Sequence, residues 1–383
     1  MKHNTAGNRD TSLNTIAWGA SANSAVAPQF QANAIIATTS LTGGVDGNAL
    51  TDGNLMGGWN NFNNQEKGLP SENLFISSKV QKKLLEDPPY STKIWQRAFF
   101  ITKDEEVKNI QIRHRGDNSE NWMFEKKHWR IKSRKEEQFD RYRYFNYIPF
   151  DLNYYFSGLV ANNIGLVSPK FDLIELFINQ KSSGIYVKSE RINENFLRRN
   201  RIMPVNIYKG EQILSEAIVA ADNDLFGNSG VWSKVALFNQ TKPEDKSDLI
   251  NFLNTLIKSE NNFEDKIKLF EKLNLDQWVK FSAYQILTQN YHNDSYHNMR
   301  LIIDPWSGKV TPIVFDPIIG RSIYTNQLLN FEESSHSLLR ILNKNSFFIN
   351  RKYKELLNIL IKKILLLLLN IQTTQNKFIL LLE

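Results

Sequence analysis

The stretch "NYHNDSYHNMRLIIDPWSGKVTPIVFDPIIG", Asn290 to Gly320, decides how this chain is read. It opens on polar residues and then becomes two β-rich runs, "MRLII" and "KVTPIVF", separated by Asp-Pro-Trp-Ser-Gly. That pattern predicts a polar loop followed by a hairpin. Folding the hairpin returns Asp316, at its outgoing end, towards Asn298 at its incoming end. Asp294 stands four residues before Asn298 in the same loop.

Working backwards from this stretch, "LDQWVKFSAYQILTQ" and "SDLINFLNTLIKS" repeat apolar residues at helical spacing. In the first of them Leu275, Val279, Ala283 and Ile286 share one face. Earlier still, "FDLIELFIN" and "GIYVKSERI" predict a hairpin turning at Gln-Lys-Ser-Ser-Gly, with Glu190 at the end of the second strand. "FDLNYYFSGLVANNIG" predicts a helix with Asp151 near its start and Gly165 as its stop, its apolar face running through Tyr155, Leu159 and Val160. From Ile110, "IQIRHRG" alternates apolar and basic residues. "HWRIKSRK" does so again, placing Trp129 and Ile131 on one face and Arg130 and Lys132 on the other. The class is therefore α+β, strand-rich in its first half and helix-rich in its second, with halves large enough to form lobes around a cleft. No internal repeat is present.

Residues 1–65 are built of Ala, Asn, Gly, Thr and Ser and cannot bury much, so they form an extension, with only patches such as Ala34 to Thr38 able to pair as strands. The main domain is expected over 66–340 and a helical tail over 341–383. Across 383 residues the hydrophobic fraction is 41%, enough for a sizeable core. The net charge of +7 favours anionic partners, although 40 carboxylates are interspersed with the basic residues. The absence of cysteine excludes disulfides, thiolate metal sites and a cysteine nucleophile. The first residues lack the apolar core of a secretory signal, and the apolar run from Ile364 is too short to span a bilayer. A cytoplasmic protein without a membrane span is expected.

The polar cluster carries the chemistry. Asn298 and Asp316 offer hard oxygen ligands, suited to a magnesium ion that carries nucleotide phosphates. Asp294 is left to orient a hydroxyl and accept its proton. A lysine on a separate strand would complete the set that phosphoryl transfer requires. Lys126, Lys127 and Lys132 are the candidates, and Lys132 is preferred because its strand position fixes its direction. Read singly, Asp294 and Asn298 could cap a helix end and a turn, Asp316 before Pro317 could end a strand, and Lys132 could be a solvated strand residue. His292 and His297 with Asp294 suggest zinc, but their spacing does not match a helical ligand pair and no third histidine or cysteine lies near. The interleaved basic and aromatic residues of "KKHWRIKSRK" and "RYRYF" also suit a single-stranded nucleic-acid platform, which is a rival class ranked below an enzyme.

The segments "RHRGDNSENW", "KKHWRIKSRK", "GIYVKSERI", "NIYKG" and "NDSYHNMRLIIDPWSGKVTPIVFDPIIG", in that order, resemble the spore-coat CotH family of atypical protein kinases. The resemblance implies a kinase-like two-lobed fold and ATP- and magnesium-dependent phosphorylation of a protein substrate on a hydroxyl, usually serine. It also implies a link to a surface structure during assembly. By the same resemblance Asp294 matches the catalytic aspartate, Asn298 and Asp316 the metal ligands, and Lys132 the phosphate-binding lysine. Arg115 and Gly116 match an Arg-Gly loop near the nucleotide, and Glu190 a glutamate after the hairpin. Phe315 stands where the family often has tryptophan, which keeps an aromatic wall. The helix before Gly165 lacks the family's usual Asp and Arg, which bears on acceptor choice. A kinase fold kept as a non-catalytic scaffold or surface-binding module is the remaining alternative.

Overall fold

The computed structural model describes residues 69–101, 107–116, 119–134, 136, 143–212, 224–236, 242–290, 292–296, 298–320 and 337–361. The extension at 1–65 with its Ala34 to Thr38 patch, His297, and the tail beyond 361 lie outside them. Contacts divide the chain between Pro70 and Ser71.

Seven strands close into a barrel: β1 (Ser71–Phe75), β2 (Gln96–Ile101), β3 (Val107–His114), β4 (Trp129–Ser133), β5 (Tyr144–Pro149), β6 (Phe171–Ile178) and β7 (Lys181–Glu190). Their spatial order is β1-β2-β3-β4-β5-β7-β6, and the parallel β6–β1 pair makes the closure. The predicted alternation holds on β4, where Trp129 and Ile131 are buried while Arg130 and Lys132 are half-buried on the other face. Inside the barrel Trp129 and Ile131 meet Ile112, Phe145, Tyr147 and Tyr186. Lys188, buried two residues past Tyr186, pairs with Glu72 at 2.6 Å and lies 4.9 Å from the Phe145 ring. Removing one partner of such a buried pair typically costs about 3–5 kcal/mol, so this contact helps hold β1 against β7.

The β6–β7 turn is tighter than the sequence suggests. It lies at Asn179 and Gln180, with φ of 53° and 66°, and Ile178 pairs directly with Lys181. Positive φ at both central residues makes a two-residue hairpin turn that follows strand twist, and asparagine tolerates that region well. The Asn179 side chain also caps β1: its Oδ1 accepts from the Ile76 amide at 2.8 Å and its Nδ2 donates to the Ile76 carbonyl at 2.9 Å.

The helices in chain order are α1 (Ser78–Leu84), α2 (Glu120–Met123), α3 (Leu152–Asn163), α4 (Glu194–Arg199), α5 (Ser247–Ser259), α6 (Phe263–Glu271), α7 (Leu275–Thr288), α8 (Ser337–Leu342) and a last helix at 346–361. Asp151 caps α3 by accepting the Tyr154 amide at 3.0 Å, and Gly165 stops it with φ of +74°. Its buried face is Ser157, Gly158, Val160 and Ala161, with Tyr155 and Leu159 only half-buried. Small residues face inward because the Phe171 ring packs on Gly158, where a Cβ would stand 2.6 Å from the ring. α7 is likewise buried on more than one face, including Trp278, Phe281 and Tyr284. It packs in one core with α5 and a second sheet of β8 (Asn206–Gly210), β9 (Trp232–Ala236), β10 (Met299–Ile303) and β11 (Val310–Pro312), ordered β11-β10-β8-β9. The architecture is α+β, and no helix among the described residues is long and apolar enough to cross a membrane.

Candidate functional site

The ends of β3, β4, β5 and β7 meet β8, β9 and β10 around a cavity of about 470 Å³. Five of the residues expected at a site line it: Arg115, Gly116, Glu190, Asn298 and Asp316. Lys132 and Asp294 are not among the lining residues.

Arg115 and Gly116 leave β3 in a turn that needs glycine. Gly116 has φ of +92°, and a Cβ there would lie 2.4 Å from the Asn121 side chain. The Arg115 amide donates to the His128 carbonyl at 2.9 Å, and its guanidinium reaches across to Asp316 Oδ1, also at 2.9 Å. His292 Nδ1 lies 3.2 Å from the other carboxylate oxygen. Burial pushes the Asp316 carboxyl up, but the His292 side chain and the Arg115 guanidinium outweigh it and hold the group well below the usual carboxylate range.

The hairpin behaves as its sequence predicts. β10 and β11 pair from Leu301↔Pro312 to Ile303↔Val310, and the Ile313 amide donating to the Arg300 carbonyl at 2.9 Å extends the ladder. Beyond the ends of that ladder, two residues before Arg300 and three after Ile313, the chain bends, with φ of 62° at Asn298 and 48° at Asp316. Both side chains thereby reach the cavity. Phe315 does supply an aromatic wall, its ring 3.9 Å from the buried Arg300 guanidinium. Burial draws Arg300 down to about 10, while Glu211 and Asp316 oppose it.

Glu190 closes the far side. Its carboxylate takes the Arg199 guanidinium at 2.6 Å on Oε2, while Oε1 is buried without a hydrogen-bond partner among the described residues. Burial raises its pKa against the pull of Arg199. Tyr154 lines the same cavity, and burial pushes its phenol up to about 12. His114 lines the cavity beside Arg115, the His128 carbonyl accepts the Arg115 amide, and burial drives each imidazole down to about 4.

The cation that β4 presents to the cavity is Arg130, whose Nε donates to Asn146 Oδ1 at 2.9 Å. Lys132, two residues on, instead sets its ammonium 5.7 Å from the Trp95 ring and 5.8 Å from the Tyr144 ring. Lys127 donates to the Trp122 and Phe124 carbonyls beside α2. Asp294 closes a local turn, its Oδ1 accepting the Tyr296 amide at 2.7 Å. Lys93, Lys209, Arg130 and Arg300 add positive charge to the cavity that sequence reasoning did not assign. For Arg130 a signal existed, since the alternation of β4 puts it on the same face as Lys132. For Lys93 there was none, because it comes from a short turn far upstream. Among the described residues no group of three or more His, Asp or Glu converges as a metal cage.

The family model described as CotH kinase protein matches residues 112–365. The chain belongs to the CotH family. It is also similar to inner spore coat protein H of Bacillus subtilis (strain 168), 22% identical over 313 residues, which cover 76% of this chain and 81% of that protein. Every residue lining the cavity except Lys93 falls within the span that the CotH model matches.

Proposed function

We propose that this chain is an ATP- and magnesium-dependent phosphotransferase, an atypical protein kinase whose barrel and helical part act as two lobes around the cavity. The acceptor is a hydroxyl group, protein serine first. One observation carries the reading: the β10–β11 hairpin delivers Asn298 and Asp316 to a single cavity that also holds Arg115, Arg130, Lys209 and Arg300. A carboxylate and an amide oxygen are the hard donors that a divalent cation takes from protein when phosphate oxygens and water fill its other positions. The surrounding cations suit a polyphosphate.

When bound, the cation would neutralise charge on the transferring phosphoryl group. The chain's own residues do the rest. Arg115 orients Asp316 and adds positive charge beside it. Arg130, steadied by Asn146, supplies the phosphate-binding cation of β4, with Lys132 set farther off on the same strand face beside Trp95 and Tyr144. Glu190 shapes the end of the nucleotide cavity, and Gly116 lets the backbone approach closely. Asp294 orients the acceptor hydroxyl and takes its proton. The likeness to an inner spore coat protein supports a protein that joins an assembling coat, which in this reading it reaches from the cytoplasm.

A second reading has its own support. In the structure both oxygens of Asp316 face cationic or donor groups and Asp294 is not a lining residue, an arrangement that a non-catalytic scaffold would retain. Calorimetry separates the two. Phosphotransfer requires ATP affinity that rises with magnesium, and Asp316→Ala should remove at least about tenfold of that dependence. Nucleotide affinity indifferent to magnesium in the wild type would favour the scaffold.

A further inference from the structure

We propose that Asn293 is the positioning residue of this site: its buried side-chain amide ties the Asn298 loop to the Phe315–Asp316 segment and so sets the spacing of the two cation ligands. The inference rests on reading Asn298 and Asp316 as those ligands.

The geometry is specific. Asn293 is 1% exposed, and its Nδ2 donates to the Asn298 carbonyl at 3.0 Å and to the Phe315 carbonyl at 2.7 Å. Its Oδ1 accepts from Asn290 Nδ2 at 3.1 Å, so both donors of the amide and its acceptor are engaged. Its own carbonyl accepts Gln285 Nε2 at 3.1 Å, which moors it to α7. Two carbonyls cannot bond each other. Beyond the last rung of the β10–β11 ladder, a group with two N–H donors on one nitrogen is what joins them.

The position of those carbonyls gives the contact its purpose. One belongs to Asn298 and the other to the residue before Asp316, and both proposed ligands sit at positive φ. Non-glycine residues hold that conformation only where their surroundings over-determine it. An aspartate at 293 would set a carboxylate against two carbonyl oxygens, and an alanine would leave both without their donor. Either change releases the spacing of the ligands while leaving their side chains in place.

The test is ATP calorimetry across a magnesium titration, with thermal midpoints measured without metal. Asn293→Asp should weaken magnesium dependence at least about tenfold while metal-free ATP affinity changes less than about threefold. In the Asn298→Ala background the same substitution should have no further effect, since it acts through that ligand. Should Asn293→Asp fail to fold, Asn290→Ala, which loosens the amide from behind, should still lower magnesium dependence. Full magnesium dependence in a folded Asn293→Asp chain, or in Asn290→Ala when the former does not fold, overturns the inference and leaves the phosphotransferase reading standing. A wild type without magnesium-dependent binding overturns that reading and this inference together.

Discussion

Arg130 and Lys132 share the outward face of β4, yet only Arg130 lines the cavity. A period-two pattern cannot choose between them, because both point the same way. The choice depends on which end of the strand meets the second sheet, and nothing local records that. A charged hydrogen bond to phosphate contributes about 1.5–3 kcal/mol, so Arg130→Met should weaken ATP binding roughly tenfold or more. Lys132→Met should weaken it far less, which competition binding would measure. The reverse order would place the phosphates over Trp95 and Tyr144. A pH effect belongs to this scale as well. His114 is buried and stacked on Trp129 with centroids 4.4 Å apart, and burial, helped by Lys127 and Lys93 against the backbone hydrogen bond with His128, lowers its pKa from its ordinary 6.5 to about 4. The unfolded chain binds that proton first as pH falls, so stability is intact above about 6.5 and is lost progressively towards 4. The thermal midpoint should drop between pH 7 and pH 5, and His114→Phe, which keeps the stack, should flatten the drop. An unchanged slope would remove His114 as a contributor.

At the scale of elements, α3 shows how much local pattern conveys and where it stops. Its start at Asp151 and stop at Gly165 were legible from capping chemistry. Its buried face was legible only at Val160, because hydrophobicity pointed also to Tyr155 and Leu159, whereas Gly158 is turned in against β6 and Ser157 against Tyr284 of α7, 2.6 Å from its hydroxyl. Only the position of Phe171 in the folded barrel explains the glycine. Gly158→Ala should therefore destabilise the protein by about 1–3 kcal/mol despite its gain in helix propensity. Trimming the ring in the Gly158→Ala/Phe171→Leu double variant should recover part of the loss in chemical denaturation. If Gly158→Ala stabilises the chain, the helix and strand are less tightly packed than described. The β6–β7 turn carries the same lesson: a glycine at 184 drew attention away from Asn179, whose side chain is committed to β1, a partner about a hundred residues away.

For the whole molecule, the α+β class and the hairpin that carries Asn298 and Asp316 were readable from periodicity alone. The barrel closure was not, since the β1–β6 pair joins strands far apart in sequence and one of them begins beside the proposed extension. The same holds for the Arg115–Asp316 contact, which spans 201 positions. The candidate site was thus legible as a set of residue types on local elements, five of which line one cavity, while their neighbours Arg130, Arg300 and Asn293 needed the assembled fold. Transfer chemistry at this cavity is tested by one assay: incorporation of label from γ-labelled ATP into protein of a cell lysate, with and without a metal chelator, for the wild type and Asp294→Asn. A general base contributes about 10²–10⁴ in rate, so label should appear with the wild type, vanish with chelator, and fall by at least a hundredfold with Asp294→Asn in a folded chain. Incorporation that survives the chelator, or that proceeds equally in the Asp294→Asn chain, would contradict metal-dependent transfer with Asp294 as the base.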